Sequence, residues 1–480
     1  MNKDYKVFRV TMGPKHHLFG FHDLPITNAK GDLALALEVD DIAHPPLPGE
    51  SCRSGVIPLA ITPDHAPTPS PFLFIHSTQT WNYPQGARQQ WIGDSDLFVC
   101  NDREPDGRLV ARVNDARRGR TVETLPFPVH CLNAELGRAI YLNYDRVHAV
   151  GGYGYHPQEE RKSIRLEDIP DDDGLWIGDV GKGDGSLLVS LAQVAACGEK
   201  RPVRTGYPHY VTHPMLNPDG TRVAFLHRYR VADGGEPTRL MTVGIDGAGL
   251  RCLAKGFLSH FTWIGNDELF IWGKDERRLC AMREAAWLRV PGMLQSALLA
   301  KKMVRLVRGG GFVSGAKMTS EQTQGKSIAN GPLSTPAQNR TFLRVRDEED
   351  PELKAVAIGV LTGDGHPMAC PGRLHWLVND TYWDAMGDRH LMFYDLDANK
   401  RYDVGKFKMI FDKPDSSAFD VAAAQSGLDR RILKKFDRSD YLFYRSGFHC
   451  DLHPRWSSDG RTAFFDSIHE GTRQIYAVQG

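Results

Sequence analysis

Short apolar runs separated by turn residues dominate the chain. Runs such as RVAFLHR, DELFIW and RTAFFDSI have the length of β-strands, and Asp-Gly, Pro-Gly and Asn-Asp dipeptides lie between them. Helical periodicity is confined to two stretches, at about 283–308 and about 416–436. The pattern therefore predicts a mostly β protein.

A repeated frame organises these strands. A histidine opens the frame, a Gly or Asp follows about seven residues later, and an apolar strand comes next. Thus His213 precedes Asp219-Gly220 and the run VAFLH, and His453 precedes Asp459-Gly460 and the run TAFFD. In the second repeat an arginine takes the place of the histidine. The seven frame positions are His22, Arg88, His130, His213, His260, His366 and His453.

Seven repeats of short strands, without alternating helices, are typical of a β-propeller. We therefore predict an all-β, seven-bladed β-propeller that forms a single domain over residues 1–480. The last repeat is short, so the N-terminal run YKVFRVTM is expected to complete it as a closing strand. A pair of β-sandwich domains is the alternative fold, but it does not account for the histidine frame.

The long spacing between His260 and His366 indicates an insertion, which we place at residues 281–345. Residues 308–340 are rich in Gly, Ser, Gln and Asn and are expected to form a loop. The preceding stretch, 283–308, is predicted to be a basic amphipathic helix. Such a helix either packs on the side of the propeller or contacts a membrane surface or a protein partner.

Composition and charge exclude several classes of protein. The chain has 480 residues, with 59 Lys plus Arg and 59 Asp plus Glu, so it lacks the overall basic charge of a nucleic-acid-binding protein. The sequence contains no run of 18 apolar residues, so no transmembrane segment is predicted. The first residues lack the apolar core of a signal peptide and the eight cysteines form no CxxC pair, so a cytoplasmic location is expected.

In a propeller, a residue just before the innermost strand of a blade points towards the mouth of the central channel. The seven frame positions are therefore expected to converge on one pocket. Imidazoles exchange protons near neutral pH and bind metals, so such a pocket suits an anionic ligand or a divalent cation. The alternative is that each histidine only forms hydrogen bonds to the next blade.

Further polar and aromatic residues accompany the frame. Aromatic rings stack on sugars, and Gln and Arg bind hydroxyls and carboxylates, as Arg228 would. Asp380 and Asp466 occupy comparable places in later repeats and are either pocket residues or blade-to-blade hydrogen-bond acceptors. The predicted substrate-binding residues are His22, Trp81, Gln85, Arg88, His227 and Arg455.

Several catalytic motifs are missing from the sequence. It contains no GxSxG elbow, no P-loop, no HExxH and no Rossmann fingerprint in a strand–helix context. A glycoside hydrolase would need paired carboxylates in the pocket, and the frame positions supply none.

The motifs resemble those of the seven-bladed propeller polysaccharide lyases, the oligogalacturonate and ulvan lyase group, including an uncharacterised branch of it. The similar segments are HHLFGFHD, WNYPQGARQQW, HPMLNPDG, DGHP with NDTYWD, and DLHPRWSSDGRTAFFDS. They span most of the chain outside residues 280–345.

The resemblance implies β-elimination on a uronic acid within an anionic oligo- or polysaccharide. His130 and His213 are then the expected base and acid, Arg228 the carboxylate clamp, and Tyr210 and Tyr382 the proton donors. A divalent cation, manganese or zinc, is expected at His260, His366 and His453. The alternative function is a non-catalytic propeller that binds a carbohydrate or protein as a scaffold in polysaccharide metabolism, with 283–308 as its docking helix.

Overall fold

Antiparallel β-sheets make up most of the computed structural model, which describes residues 5–60, 68–152, 154–156, 166–307, 340–420 and 442–479. Within these residues, five sheets have four strands each and a sixth has seven. This arrangement is consistent with a propeller-like fold and confirms the prediction of a mostly β protein.

The first three sheets follow one another along the chain. Strands β2 to β5 cover His16–Leu18, Leu33–Val39, Cys52–Pro58 and Leu73–Thr78. Strands β6 to β9 cover Gln90–Trp91, Leu97–Arg103, Leu109–Asp115 and Arg120–Leu125. Strands β10 to β13 cover Cys131–Asn133, Arg138–Leu142, Gly174–Asp179 and Asp184–Ser190. Two short helices accompany the third sheet, α1 at Tyr144–Arg146 and α2 at Leu191–Ala196.

One long strand connects the two halves of the seven-stranded sheet. Strands β14 to β20 cover Tyr210–Leu216, Arg222–Arg228, Thr238–Gly244, Arg251–Trp263, Glu268–Asp275, Thr341–Arg346 and Leu353–Val356. The first half of β17 pairs with β16 and its second half pairs with β18. The strand therefore serves two successive groups of four.

The last two sheets bring the ends of the chain together. Strands β21 to β24 cover Met368–Cys370, Arg373–Asp380, Asp388–Asp395 and Lys400–Lys408. Strands β25 to β27 cover Arg455–Trp456, Ala463–Ser467 and Gln474–Gln479, and β1, at Lys6–Arg9, pairs with β27. This pairing confirms the predicted closing strand, because the N-terminal run completes the last sheet.

Helices occupy the chain between β18 and β19. Helix α3 covers Arg277–Glu284, a 3-10 turn covers Ala286–Arg289, and α4 covers Met293–Val307. The single helix predicted at 283–308 is therefore divided, because Pro291 disfavours helical backbone in the residue before it. The predicted loop at 308–340, apart from its last residue, and most of the predicted helix at 416–436 lie outside the described residues. None of the described helices is long and apolar enough to cross a membrane.

Polar side chains at the ends of second strands join neighbouring sheets. Asn101 bonds both main-chain groups of Val129, with N–H···Oδ1 at 2.7 Å and Nδ2–H···O at 2.8 Å. Asp466 accepts the N–H of Phe19 at 3.2 Å, and Asp380 accepts the N–H of His453 at 3.2 Å. Asp380 and Asp466 therefore both accept a sheet-to-sheet hydrogen bond, which is one of the two roles that the sequence left open for them.

Candidate active site

Five imidazoles, two on strands and three in loops, form one group, which we call the histidine cluster. Its members are His22, His213, His260, His366 and His453. The ring centroid of His366 lies 4.2 Å from that of His260, 4.4 Å from His453 and 5.3 Å from His22. His213 joins through Phe21, whose ring stacks on it at 4.8 Å and meets His453 at 5.6 Å. The structure thus brings together five of the seven frame positions.

Local backbone irregularities occur at three of these histidines. His213 lies where the register of β14 shifts between Thr212 and Met215, and His260 lies at a similar shift in β17. His213 and His453 have positive φ angles of 55° and 41°. Bulges re-aim a side chain, and positive φ at a non-glycine residue is strained and concentrates at functional sites.

Hydrogen bonds fix the orientation of three of the rings. The Nδ1 atom lies 3.0 Å from Asp364 Oδ1 in His260, 2.7 Å from Asp380 Oδ1 in His366, and 2.9 Å from the Gly20 carbonyl in His453. Each of these partners is an acceptor, so the proton of a neutral ring sits on Nδ1. The Nε2 lone pair is then free to accept a proton or bind a metal.

His22 differs from the other members. It is 3% exposed, and neither ring nitrogen has a hydrogen-bond partner among the residues that the structure describes. Burial lowers its pKa well below the ordinary value, and His366, His453 and His260 add to this effect. Burial of an imidazole without hydrogen bonds costs free energy, which sets His22 apart from the three oriented rings.

One part of the cluster has the composition of a metal centre. The ligand atoms of His366, Asp451 and His453 all lie within 4.8 Å of one another. Asp451 pairs with Arg389 at 2.6 Å, and its pKa stays well below the ordinary value because Arg389 and the neighbouring histidines outweigh burial. Two imidazoles and an ionised carboxylate are ligands that a divalent transition metal prefers, so these residues fit such an ion.

The histidines do not share one protonation behaviour. Burial lowers the pKa of His213 and His453 well below the ordinary value, with further contributions from Arg228 for His213 and from His366 for His453. The pKa of His366 is raised, because nearby carboxylates, Asp380 foremost, outweigh its burial. Neutral imidazoles are the form that accepts protons and binds metals.

The predicted clamp and the predicted tyrosines each lie near a member of the cluster. Arg228 and Tyr210 are cross-strand partners on β15 and β14, next to His213. The Tyr210 hydroxyl donates to Glu236 at 3.1 Å. The Tyr382 ring lies 5.4 Å from His366 and 6.1 Å from His260.

The other two frame positions are held by neighbouring groups. Arg88 donates to both oxygens of Asp23 at 2.8 Å and to the carbonyl of His130. His130 is 1% exposed and its Nδ1 lies 2.9 Å from the Tyr144 hydroxyl. Burial lowers the pKa of His130, and the charges of Arg88 and His213 lower it further. His130 is therefore within electrostatic range of the cluster.

The remaining predicted substrate-binding residues are buried among protein groups. Trp81 packs in the core and donates to the Glu50 carbonyl, and Gln85 lies in the adjacent turn. Arg455 pairs with Asp466 at 3.0 Å. The ring of His227 contacts His209 and Tyr229, at 5.0 and 5.1 Å, on the opposite side of β15 from Arg228.

Sequence reasoning missed the carboxylates that support the cluster. Asp364 and Asp451 each stand two residues before a frame histidine, in the repeated pattern Asp-x-His-Pro at 364–367 and 451–454. That repeat is the signal that could have revealed them. Asp364 is bonded to His260, and Asp451 is paired with Arg389. Carboxylates bonded in this way orient their partners, whereas the acid and base of a glycoside hydrolase are two carboxyl groups that flank the substrate.

Comparisons with known proteins address the fold. No protein-family model and no curated protein matches the sequence. An oligogalacturonate lyase solved in complex with manganese aligns with a TM-score of 0.52 at 12% identity, over 98% of this chain and 92% of that one. The oligogalacturonate lyase of Vibrio parahaemolyticus aligns with a TM-score of 0.52 at 12% identity, over 100% of this chain and 97% of that one. The chain therefore shares the fold of these lyases.

Proposed function

We propose that this protein is a metal-dependent lyase that cleaves uronic-acid-containing oligosaccharides by β-elimination. The observation that carries the proposal is the histidine cluster, with Arg228 beside it and carboxylates behind it, in a chain with the fold of oligogalacturonate lyases. The two similar structures are named for a uronic-acid substrate, and one was solved with manganese.

In this proposal the chain is one seven-bladed propeller over residues 1–480, with residues 281–345 as an insertion. Five four-stranded sheets supply five blades, and β17 divides the seven-stranded sheet into two more. The pairing of β1 with β27 supports closure of the ring, because it joins the first and last strands of the chain.

His366, Asp451 and His453 would hold a divalent cation, manganese in the first instance, and His260 lies next to them. When bound, such an ion would draw electrons from the carboxylate of a uronic acid and make the C5 proton more acidic. The Nδ1 hydrogen bonds of His366 and His453 hold both rings with Nε2 free for this role.

Arg228 supplies a fixed positive charge for the same carboxylate. Its guanidinium lowers the pKa of His213 further after burial, which supports a place for Arg228 in the same part of the site. An arginine presents two parallel N–H donors to a carboxylate, which fixes the orientation of the sugar ring as well as its charge.

His260 is the best-placed base. Asp364 holds its Nδ1, and at 16% side-chain exposure it is more open than His366 or His453. Its Nε2 would take the C5 proton, the C5–H electron pair would form the C4=C5 double bond, and the C4–O bond would break. Tyr382, whose ring lies near both His260 and His366, would give a proton to the leaving oxygen.

This assignment changes roles within the predicted set. His213 remains a second candidate for proton transfer, because Arg228 helps to keep it neutral. His130 is hydrogen-bonded to the Tyr144 hydroxyl, and the Tyr210 hydroxyl donates to Glu236. We therefore assign His130 and Tyr210 a role in supporting the pocket. The test is formation of an unsaturated uronate from uronic-acid oligosaccharides, measured by its ultraviolet absorbance with and without manganese.

A binding scaffold is the second candidate function. Large apolar side chains are exposed around α4, among them Trp287 at 44%, Val290 at 53% and Leu299 at 63%. An exposed apolar group of this kind marks an interaction surface when it is contiguous. If no unsaturated product forms from any uronic-acid substrate, this apolar surface favours a binding scaffold as the function.

A further inference from the structure

Asp380 contacts both histidines of the candidate metal centre at once. It ends β22 and is fully buried. Its Oδ1 accepts the main-chain N–H of His366 at 2.8 Å and bonds the Nδ1 of the same residue at 2.7 Å. Its Oδ2 accepts the main-chain N–H of His453 at 3.2 Å. One side chain therefore links the loops that lead into β21 and β25, which belong to different sheets.

We propose that Asp380 is a positioning residue that sets the ring orientation of His366 and its separation from His453 for binding of a divalent cation. The inference rests on the metal centre of the proposed function and assigns it a supporting carboxylate. A carboxylate behind a metal-binding imidazole fixes the tautomer and the ring plane and makes Nε2 a stronger ligand.

Comparison with the other sheet-to-sheet links separates this role from a purely structural one. Asn101 and Asp466 also accept a main-chain N–H of a neighbouring sheet, but within the described residues their bonds reach no imidazole. The ring contact thus distinguishes Asp380 from both.

The chemistry of its partners explains why an aspartate stands here. Among the described residues, the three groups bonded to the Asp380 side chain all donate hydrogen bonds, and a carboxylate accepts at both oxygens. An asparagine has the same shape, but its amide N–H₂ would face one of these donors. Asp380→Asn therefore disturbs either the ring of His366 or the main chain of His453 with little change in volume.

Manganese binding to the full chain, stripped of metal by a chelator and dialysed, tests the proposal by calorimetric titration. We expect the wild type to bind one Mn²⁺, and Asp380→Asn to bind it about 10- to 100-fold more weakly. Asn101→Ala removes a sheet-to-sheet link away from the metal ligands and should keep the wild-type affinity. Circular dichroism establishes that each variant is folded.

Three results would overturn the proposal: wild-type affinity in Asp380→Asn, an equal loss in Asn101→Ala, or no manganese binding by the wild type. If Asp380→Asn does not fold, Asp380→Ser takes its place, and the rise in unfolding midpoint on adding Mn²⁺ reports binding. Failure of the proposed lyase function is a separate result. A wild type that binds Mn²⁺ but forms no unsaturated product leaves the role of Asp380 intact.

Discussion

The Nδ1 atom of His260 lies 3.0 Å from Oδ1 of Asp364. This pairing orients the imidazole and favours the tautomer with Nε2 unprotonated, as a carboxylate does for the histidine of a catalytic triad. Because Asp364 also stabilises the imidazolium that forms when Nε2 takes a proton, the pair has the composition of a general base.

We expect His260→Ala to lower kcat by about 100- to 10,000-fold, because it removes the proton acceptor. Asp364→Asn should lower kcat less, with KM changed little, since the base remains but loses its orientation. Steady-state kinetics on a uronic-acid oligosaccharide measures both effects. Wild-type kcat in His260→Ala would exclude this residue as the base and transfer the role to His213.

Arg228→Ala should lower kcat/KM by about 10- to 150-fold, the loss expected for a hydrogen-bonded charge worth about 1.5–3 kcal/mol. The methyl ester of the same substrate lacks the carboxylate charge and provides the control. The variant and the wild type should differ much less on the ester than on the acid. An equal loss on both substrates would show that Arg228 supports the pocket without contacting the carboxylate.

Removal of metal should abolish activity and also lower the unfolding midpoint, because His366, Asp451 and His453 come together only in the folded chain. An ion present at about 100 times its Kd stabilises the folded state by about 2.7 kcal/mol. Thermal unfolding with chelator and with added Mn²⁺ measures the effect. His366→Ala is the matched control, in which added Mn²⁺ should no longer raise the midpoint.

Stability of the metal-free protein should fall between pH 6.5 and pH 5. His22, His213 and His453 have depressed pKa values through burial first, so the unfolded chain binds more protons than the folded one in this range. Each such histidine removes up to about 1.4 kcal/mol of unfolding free energy per pH unit. The raised pKa of His366 affects stability only above about pH 6.5, where stability from that group is lost as pH rises.

Denaturant titrations at several pH values test this slope. His22→Gln removes one buried imidazole and should make the decline between pH 6.5 and pH 5 shallower. A stability that is constant or rises on acidification over this range would contradict the burial of neutral imidazoles in the cluster.

The sequence predicted that five histidines converge, because each occupies the same place in its repeat. Equivalent places in successive repeats lie in the same region of the fold. These histidines are His22, His213, His260, His366 and His453. It did not predict what each polar side chain would face. Arg88 and Arg455 have the chemistry of substrate-binding residues, yet they pair with Asp23 and Asp466. Only the packing of neighbouring sheets decides between these two uses of a guanidinium.

The supporting carboxylates were harder to find for a related reason. Asp380 lies at the end of a second strand, far in sequence from His453, and its position there serves a sheet-to-sheet link as well as an imidazole. Likewise, the periodicity of residues 283–308 predicted one helix, whereas Pro291 divides the segment.

If the histidine cluster catalyses β-elimination on a uronic acid, the protein forms an unsaturated uronate. The most direct measurement follows ultraviolet absorbance of purified protein incubated with a panel of uronic-acid oligosaccharides and polysaccharides, with Mn²⁺ and with chelator. Rising absorbance with Mn²⁺, absent with chelator and absent in His260→Ala, is the predicted result. No absorbance change on any substrate, from a wild type that binds Mn²⁺, would contradict the claim and favour a binding scaffold.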